Sequence, residues 1–451
     1  MSKTFFETAR REHIYRPITE RVQDYDEVEM RISAQEVQQL AGRCQNCGLP
    51  FCHAMGCPLQ NAIPDINRSV MRGDWQGAWE RLAETSPFPE FTSRICPALC
   101  ESACCLEGED FGATNVRQIE KMVVDTAFAN GWVKMAAPMH RHGKKAAVIG
   151  AGPAGLATAV RLNEFGWQVT IYDRNEKPGG LLRYGIPCFK LDKAIIDRRW
   201  ALMAEAGMAF HGNTEIGKDI SGNYLLKHFD AVIVTNGTPV ARDLKVPGRE
   251  LTGIVQALQL LGGQNRCNTG ESTSTPVSGA GKKVLIIGGG DTGNDCGGTV
   301  IRQGAVSVMS IDLMPKPPVV RSPNTPWPMW PYRLRGSSSV DEGLQRFWSL
   351  NTLRFLGDNG QVAGVEVVPV KWAFEANGRP TKFEVSGPSQ VIPCDLVVLA
   401  MGFLKRTRQE VLDSLGLPDQ DNVLIAGDAA NGPSLVVRAI ADGLKCAQSL
   451  A

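Results

Sequence analysis

Apolar positions change their spacing once along this chain, near residue 144. Before it they recur at helical intervals. Ser33-Ala34-Gln35-Glu36 fits a capping box ahead of an apolar-periodic run. Asn115–Asn130 carries Val116, Ile119, Val123, Ala127 and Phe128 on one helical face. Residues 1–143 therefore read as a helical region, ending in a linker over Lys134–Gly143. From Lys144 the pattern becomes short apolar runs alternating with helices, the signature of an α/β fold with buried parallel strands. Ala146–Ile149 predicts a strand, Ala154–Phe165 a helix and Val169–Tyr172 a second strand. The unit recurs as Val284–Ile287, Thr292–Gln303 and Val306–Ile311, an internal duplication. Ala231–Val234, Leu396–Leu399 and Val423–Ala426 predict further strands, and Ser434–Leu450 a closing helix. Arg266–Gly281 and Met314–Pro331, the latter with seven prolines, read as irregular loops.

A length of 451 residues implies two or three domains, and 43% hydrophobic with 21% charged residues is ordinary globular composition. A net charge of +1 argues against a nucleic-acid or anionic-membrane partner. No apolar run reaches the roughly 18–20 residues of a membrane span. The N-terminal stretch lacks an apolar signal core, and Glu7 and Glu12 disfavour an organelle presequence, so a cytoplasmic location is expected.

Eight of the thirteen cysteines fall before residue 106, in two runs. Cys44, Cys47, Cys52 and Cys57-Pro58 form the first; Cys96-Pro97, Cys100, Cys104 and Cys105 form the second. In a reducing compartment such runs read as metal ligands rather than disulfides. Structural zinc uses the same CxxC spacing. Two four-cysteine runs, each with a Cys-Pro, favour iron–sulfur clusters, with ligands crossing between runs as in two-cluster ferredoxins. Cys188, Cys267, Cys296, Cys394 and Cys446 are scattered and read as small buried hydrophobes.

Two glycine-rich loops follow, each after a predicted strand and opening a helix. In Gly150-Ala151-Gly152-Pro153-Ala154-Gly155 the glycines permit a tight turn, close approach of a pyrophosphate and tight helix–strand packing, and Asp173 ends the next strand, where a carboxylate can bind ribose. Gly288-Gly289-Gly290-Asp291-Thr292-Gly293 repeats this arrangement, with Asp312 in the corresponding place. An acid there suits an unphosphorylated ribose, whereas Lys316 and Arg321 just beyond could hold a 2′-phosphate, so NADH and NADPH both stay open. Small-residue turns at Thr235-Asn236-Gly237-Thr238 and Ala400-Met401-Gly402-Phe403 allow backbone to pass a nucleotide. Gly427-Asp428 places a carboxylate after a strand, where it could accept from flavin ribityl hydroxyls.

Jointly, RCQNCGLPFCHAMGCPL, PFPEFTSRICPALCESAC, VIGAGPAGL, PGGLLRYGIPCFKLDK, IIGGGDTGNDC, PWPMWP, AMGF and AGDAANGPSLVVRAI make the chain resemble the small (β) subunit family of bacterial glutamate synthase. Similar modules occur in the N-terminal part of dihydropyrimidine dehydrogenase and in NADPH:ferredoxin oxidoreductases. The resemblance implies a helical iron–sulfur domain (1–143), then two Rossmann-like domains, the NAD(P)H domain (251–404) inserted into an FAD domain (144–250 and 405–451). It implies one 4Fe-4S cluster on Cys44, Cys47, Cys52 and Cys104. A second would use Cys57, Cys96 and Cys100, with Glu120 as its fourth ligand. Cys105, where the family usually has an apolar residue, leaves that fourth ligand ambiguous, and a solvent-facing Glu120 paired with Lys121 or Arg117 is the bland alternative. Gly150, Gly152, Pro153, Ala154, Gly155, Asp173, Gly180, Leu181, Gly237, Gly427 and Asp428 would face FAD. Gly288, Gly290, Asp291, Thr292, Gly293 and Arg321 would face NADPH or NADH. Cys188 and Arg438 depart from the pattern, as do the residues of 336–350 and 415–423.

The implied activity is oxidation of NAD(P)H through FAD and the clusters. The electrons would go to a glutamate synthase large subunit, in a hetero-oligomer, that forms glutamate from glutamine and 2-oxoglutarate. No catalytic acid, base or nucleophile is required, because flavin takes two electrons together and releases them singly. The rivals are an oxidoreductase serving ferredoxin or another acceptor, and a degenerate homologue kept for assembly.

Overall fold

A computed structural model describes residues 3–108, 111–375 and 378–451. Up to Ala129 the named elements of the described residues are all helices, several with a local reason for their start. Ala34–Ala41 begins at the capping box read from sequence: Ser33 Oγ accepts from the Glu36 amide and the Glu36 carboxylate accepts from the Ser33 amide. Ile63–Met71 carries proline in its first turn, and Asp74 caps Trp75–Ala83 through the Gly77 amide. With Pro89–Ile95, Leu99–Ser102 and Val116–Ala129 these helices enclose a core of Val37, Ile66, Val70, Leu82, Ile119, Val123 and Val124.

Beyond residue 144 the chain builds two sheets of the same design. Strands β1 (Lys145–Ile149), β2 (Gln168–Tyr172), β3 (Ala209–His211) and β4 (Ala231–Val234) lie in the first. Strands β5 (Ile254–Gln256), β6 (Lys283–Ile287), β7 (Ser307–Ile311) and β8 (Gln345–Phe347) belong to the second. The chain then forms an antiparallel sheet of β9 (Leu350–Asp358), β10 (Gln361–Phe374), β11 (Pro380–Val385) and β12 (Gln390–Pro393). It re-enters the second sheet with β13 (Leu396–Leu399) and the first with β14 (Val423–Ile425). The orders are β14-β4-β1-β2-β3 and β5-β13-β6-β7-β8, all parallel. Duplication reaches single positions. In both β1 and β6 only the first residue is exposed and the other four are buried, and β2 and β7 also share one burial pattern. Strands covered on both faces need such apolar runs.

Helix Val436–Gln448 returns to the first sheet and crosses helix Pro153–Glu164 closely. A side chain at Gly443 would place its Cβ 2.3 Å from the Ala154 carbonyl oxygen. Thr158 Oγ1 donates to the Gly443 carbonyl at 3.1 Å. The helical region is joined to this sheet by a buried ion pair, Glu90 with Arg199 on helix Lys193–Glu205, at 2.5 and 3.0 Å.

An N-terminal strap reaches the second sheet. Buried Arg21 pairs with Glu342 at 2.7 Å, and Glu342 pairs in turn with Arg302, at the C-terminal end of helix Asp291–Arg302, at 2.7 Å. Within the same strap the Val28 amide donates to the Phe189 carbonyl, and Glu27 pairs with Arg94. Among the described residues, no helix is long and apolar enough to cross a membrane.

Candidate functional site: two thiol-lined cavities and two glycine loops

The first cysteine run leaves the capped helix at Arg43, whose buried guanidinium donates to the carbonyls of Thr8, Phe111 and Gly112. Cys52–Gly56 is a single π-helical turn, closed by the Cys57 amide on the Cys52 carbonyl at 2.9 Å. This wide turn turns Cys52 and Cys57 into different cavities. One cavity is lined by Cys44, Cys47, Cys52, Cys104 and Cys105, with Phe51 and Ile63. The other is lined by Cys57, Cys96, Cys100 and Glu120, with Leu99, Arg117 and Val437. The runs therefore cross: the last residue of the first joins the second set, and Cys104 joins the first.

Two features that sequence reasoning missed bring the runs together. Gly56 lies so close to the second run that a Cβ would sit 2.7 Å from the Cys100 Cα. Ala98, between Cys96 and Cys100, is left-handed at φ 62°. A glycine just before a ligand cysteine was the available signal for the first; a left-handed alanine gives none.

Burial raises every thiol of the second cavity: Cys57 is pushed up to about 12, Cys96 to about 11, and Cys100 well above its ordinary value. Backbone amides oppose this. Those of Leu59 and Asn61 donate to the Cys57 sulfur, and those of Ala98 and Leu99 to Cys96. In the first cavity His53 N–H serves Cys52, and those of Leu106 and Thr114 serve Cys104. Amides aimed at sulfurs favour thiolates and tune a cluster they ligate. Among the described residues no three His, Cys, Asp or Glu side chains close on a single-ion site; the sulfurs surround cavities instead.

Glu120 is buried, not solvent-facing. Burial raises its carboxyl to about 7 against the donation of Asn61 Nδ2 at 2.9 Å. Arg117 turns away, to the Ser93 and Arg94 carbonyls and to Glu29. Cys105 lines the other cavity, so among the described residues Glu120 is the carboxylate that lines this one beside Cys57, Cys96 and Cys100.

The first glycine loop opens helix Pro153–Glu164, with Pro153 in its first turn. Gly150 has φ 103°, and a Cβ there would lie 2.6 Å from the Thr235 carbonyl oxygen. At Gly155 it would lie 1.9 Å from the Gly150 oxygen. Asp173 is buried; one oxygen accepts from the Ala151 amide at 2.7 Å and the other from the Asn175 amide at 2.8 Å. Gly180 passes over Gly152: its Cβ would be 2.7 Å from the Gly152 Cα. Leu181, next to it, is 47% exposed. Gly427 approaches from the far end of the chain, its would-be Cβ 2.5 Å from the Ala154 Cβ. Asp428 accepts from Ser434 Oγ at 2.5 Å, and burial raises its carboxyl despite that bond. Gly237, at φ 71°, has open space where a Cβ would point. Thus residues 150–155, 180 and 427–428 meet at one helix N-terminus, an arrangement that suits a diphosphate.

The second loop opens helix Asp291–Arg302. Gly288 (φ 126°) lies against the Ala400 carbonyl, 2.2 Å from a would-be Cβ, and Gly293 against the Gly288 carbonyl, also 2.2 Å. Asp312 repeats the brace of Asp173, accepting from Gly289 N–H at 3.0 Å and Met314 N–H at 2.9 Å. Asp291 is exposed and Thr292 half-buried at the mouth. Arg321 has a different placement from the one its sequence position suggested. Its terminal nitrogens donate to the carbonyls of Thr325, Met329 and Ser102, tying the proline-rich loop to the helical region. Trp327 reinforces that tie, packing its ring at a tilt against Phe51 (centroids 4.6 Å apart) and donating to the Cys104 carbonyl at 3.1 Å. Half-buried Lys190 pairs with buried Asp295 and joins the two nucleotide units.

Residues 21–132 match the family dihydropyrimidine dehydrogenase domain II, 4Fe-4S cluster, and residues 144–325 match pyridine nucleotide-disulphide oxidoreductase. The chain is 42% identical over 96% of its length to the glutamate synthase [NADPH] small chain of Mycobacterium tuberculosis, covering 92% of that protein. It is 36% identical to the Bacillus subtilis small chain, covering 99% of this chain and 97% of that one. It is 39% identical over 98% of its length to glutamate synthase [NADH] of Saccharomyces cerevisiae, but covers only 22% of that longer protein. In structure it resembles FprA of M. tuberculosis in complex with NADPH, at a TM-score of 0.53 over 68% of this chain and 83% of the other, with 17% identity, a likeness of fold. With identity at this level over 96–99% of the chain, and both cysteine-lined cavities and both glycine loops in place, the chain belongs to the glutamate synthase small-chain family.

Proposed function

We propose that this chain is the NADPH-oxidising electron-input subunit of a glutamate synthase, working in the cytoplasm beside a large subunit that makes glutamate from glutamine and 2-oxoglutarate. The observation that carries this is the continuity of its sites. The second thiol cavity includes Val437 on helix Val436–Gln448, which packs against the helix of the first glycine loop. Cys57, Cys100 and Leu99 share one hydrophobic core with Val148 and Leu156 of that unit. The first loop's unit and the second cavity are thus joined through one packed hydrophobic core.

The donor sets fit the groups. FAD would lie on Gly150, Gly152, Pro153, Ala154, Gly155, Asp173, Gly180, Leu181 and Gly237, with Gly427 and Asp428. NADPH would lie on Gly288, Gly290, Asp291, Thr292 and Gly293. Sulfurs surrounding a cavity, rather than one point, suit a polynuclear cluster. One 4Fe-4S cluster would be held by Cys44, Cys47, Cys52 and Cys104, the other by Cys57, Cys96, Cys100 and Glu120. We divide the chain into 1–143, 144–250, 251–404 and 405–451; the shared sheet of β1–β4 with β14, and that of β5–β8 with β13, support the last three segments. The "[NADPH]" of the bacterial relatives' names supports the phosphorylated donor, and the fused yeast protein supports a large partner.

Flavin supplies the conversion between paired and single electrons. The protein orients and insulates. Asp173 and Asp312 hold the two loops in register, Lys190–Asp295 fixes one unit against the other, and Arg21–Glu342–Arg302 fixes the N-terminal strap to the second. No residue is required to move a proton onto carbon.

The test is anaerobic titration of the purified chain with NADPH and then NADH, followed by addition of the large subunit and assay of glutamate. Bleached flavin bands over a broad iron–sulfur absorbance, and glutamate formed only with both subunits, are expected. A colourless protein, or a flavin untouched by either nucleotide, would overturn the reading. Rapid ferredoxin reduction with no glutamate formed would reassign the partner.

A further inference from the structure

Five cysteines, not four, line the first cavity. Four correspond to the ligand set proposed above; Cys105 is the additional one. Its surroundings separate it from its neighbour Cys104. The Cys104 carbonyl accepts from the Glu107 amide at 3.0 Å and from Trp327 Nε1 at 3.1 Å, so its backbone is held from two sides. Its sulfur receives the amides of Leu106 and Thr114. The Cys105 side chain is exposed, whereas the other four cysteines of the cavity are partly covered. It lines the same cavity as Cys47, and burial together with this neighbouring thiol raises Cys47. Cys47 lies in an exposed turn: Asn46 before it is left-handed at φ 48°, and Gly48 after it faces open space. A second thiol therefore shares the cavity with a ligand carried by an exposed turn.

We propose that Cys105 is a spare thiolate ligand for the cluster of the first cavity, able to replace Cys47. This rests on the reading that the cavity holds an iron–sulfur cluster. The exchange is a ligand substitution without redox change. The Cys105 thiol gives its proton to solvent and forms a bond to iron, while the iron bond to Cys47 breaks and that sulfur takes up a proton. Thiolate is the iron ligand in such clusters, and a side chain lining the same small cavity as a ligand sulfur needs little movement to take its place. The site would then withstand loss or alkylation of Cys47, the ligand that solvent reaches through an exposed turn.

The full-length chain is purified anaerobically as wild type, C47S, C105S, C44S and C47S/C105S. Iron and acid-labile sulfide are measured per flavin, and the reduced proteins are examined by low-temperature EPR. C105S should keep the wild-type iron and signals. C47S should keep the iron but show a shifted signal from one cluster. C47S/C105S and C44S should each lose one cluster, half of the iron, while the second cavity's cluster and the flavin persist. Iodoacetamide mapping of the loaded proteins should label Cys105 in the wild type and leave it protected in C47S. If C47S holds no more iron than C47S/C105S, whether by failing to fold or by losing the cluster, the proposal is overturned. If Cys105 is alkylated equally in both loaded proteins, it is overturned too. A wild type without iron would instead overturn the cluster reading itself.

Discussion

In the first nucleotide unit Gly152 lies beneath Gly180, and Gly427 is pressed on Ala154 from a segment more than 250 residues away in sequence. In the second unit the equivalent Gly290 has nothing within 4 Å of its would-be Cβ, and Asp291 beside it is exposed. Much else is repeated: the order β4-β1-β2-β3 in β13-β6-β7-β8, the burial pattern, the left-handed first glycine, and a carboxylate bracing the loop's second residue. The same loop can thus serve a nucleotide that stays and one that exchanges. The difference lies in what closes over it, not in the glycines that receive phosphate. Covering segments slow release, which is how most affinity differences arise.

The comparison breaks most severely at the third glycines. Gly155→Ala drives a methyl to 1.9 Å from the Gly150 carbonyl oxygen and 2.6 Å from Thr235 Oγ1, all within packed backbone. Overpacking of this kind costs about 1–3 kcal/mol. Because the strain falls at the phosphate turn, purified protein should carry at least ~10-fold less flavin per chain. Gly293→Ala makes the matching clash with Gly288, at 2.2 Å, and should leave flavin content at the wild-type level while abolishing its bleaching by NADPH. Equal flavin loss in both variants would show that the units do not bind independently.

The second unit is held by charges from outside it. Glu342→Gln leaves Arg21 and Arg302 buried opposite a neutral amide, and breaking a buried pair costs about 3–5 kcal/mol. Flavin content and cluster absorbance should persist, since neither site touches Glu342. The rate of flavin reduction at saturating NADPH should fall at least ~10-fold in stopped flow, since misplacement by about 1 Å can cost a factor of about a hundred. An unchanged rate would show that the strap holds stability alone.

Gly290→Ala sharpens the comparison without disturbing the fold. The residue is extended at φ −80° and ψ −174°, and its would-be methyl meets no protein atom. Melting temperature should stay within about 2 °C, since exposed substitutions rarely exceed ±0.5 kcal/mol. The added methyl stands where a pyrophosphate approaches, so the NADPH dissociation constant should rise by about 10-fold. Unchanged affinity would place the phosphates elsewhere.

What was legible in the chain follows from how locally each feature is encoded. Strands β1, β2, β4, β6, β7 and β13 were readable because burial on both faces demands uninterrupted apolar runs, and their predicted ends differ by at most one residue from those found. Both nucleotide helices start one residue before the prediction, at Pro153 and Asp291, each the first position after a capping glycine. The antiparallel sheet β9–β12 was not foreseen: β11 is exposed throughout and β12 nearly so, which leaves no alternation to detect. The expected loop at 266–281 begins inside helix Ala257–Asn268. The strap was invisible for another reason. Arg21 and Glu342 are 321 positions apart, and a buried pair at that separation leaves no local pattern. Arg321 shows the converse hazard: a cation beyond a nucleotide strand suggested a phosphate ligand, whereas its hydrogen bonds bind the proline-rich loop to the helical region.

The mildest effect is expected at Asp312. Its carboxylate accepts two backbone amides, so it is structural, yet it also places negative charge where the ribose of a second-loop nucleotide would lie. For NADH that charge can accept from the 2′-hydroxyl; for NADPH it opposes the 2′-phosphate. Asp312→Asn keeps one acceptor for the loop and removes the charge. The ratio of kcat/KM for NADPH over NADH should rise by about 5-fold, on the order of 1 kcal/mol, as expected for a partly solvated charge. The corresponding Asp173→Asn should leave that ratio unchanged and weaken flavin retention instead, since its unit is the covered one. A rise in the ratio caused by Asp173→Asn would reverse the assignment of the two loops, because only the unit that receives the exchanging nucleotide can discriminate between the two donors.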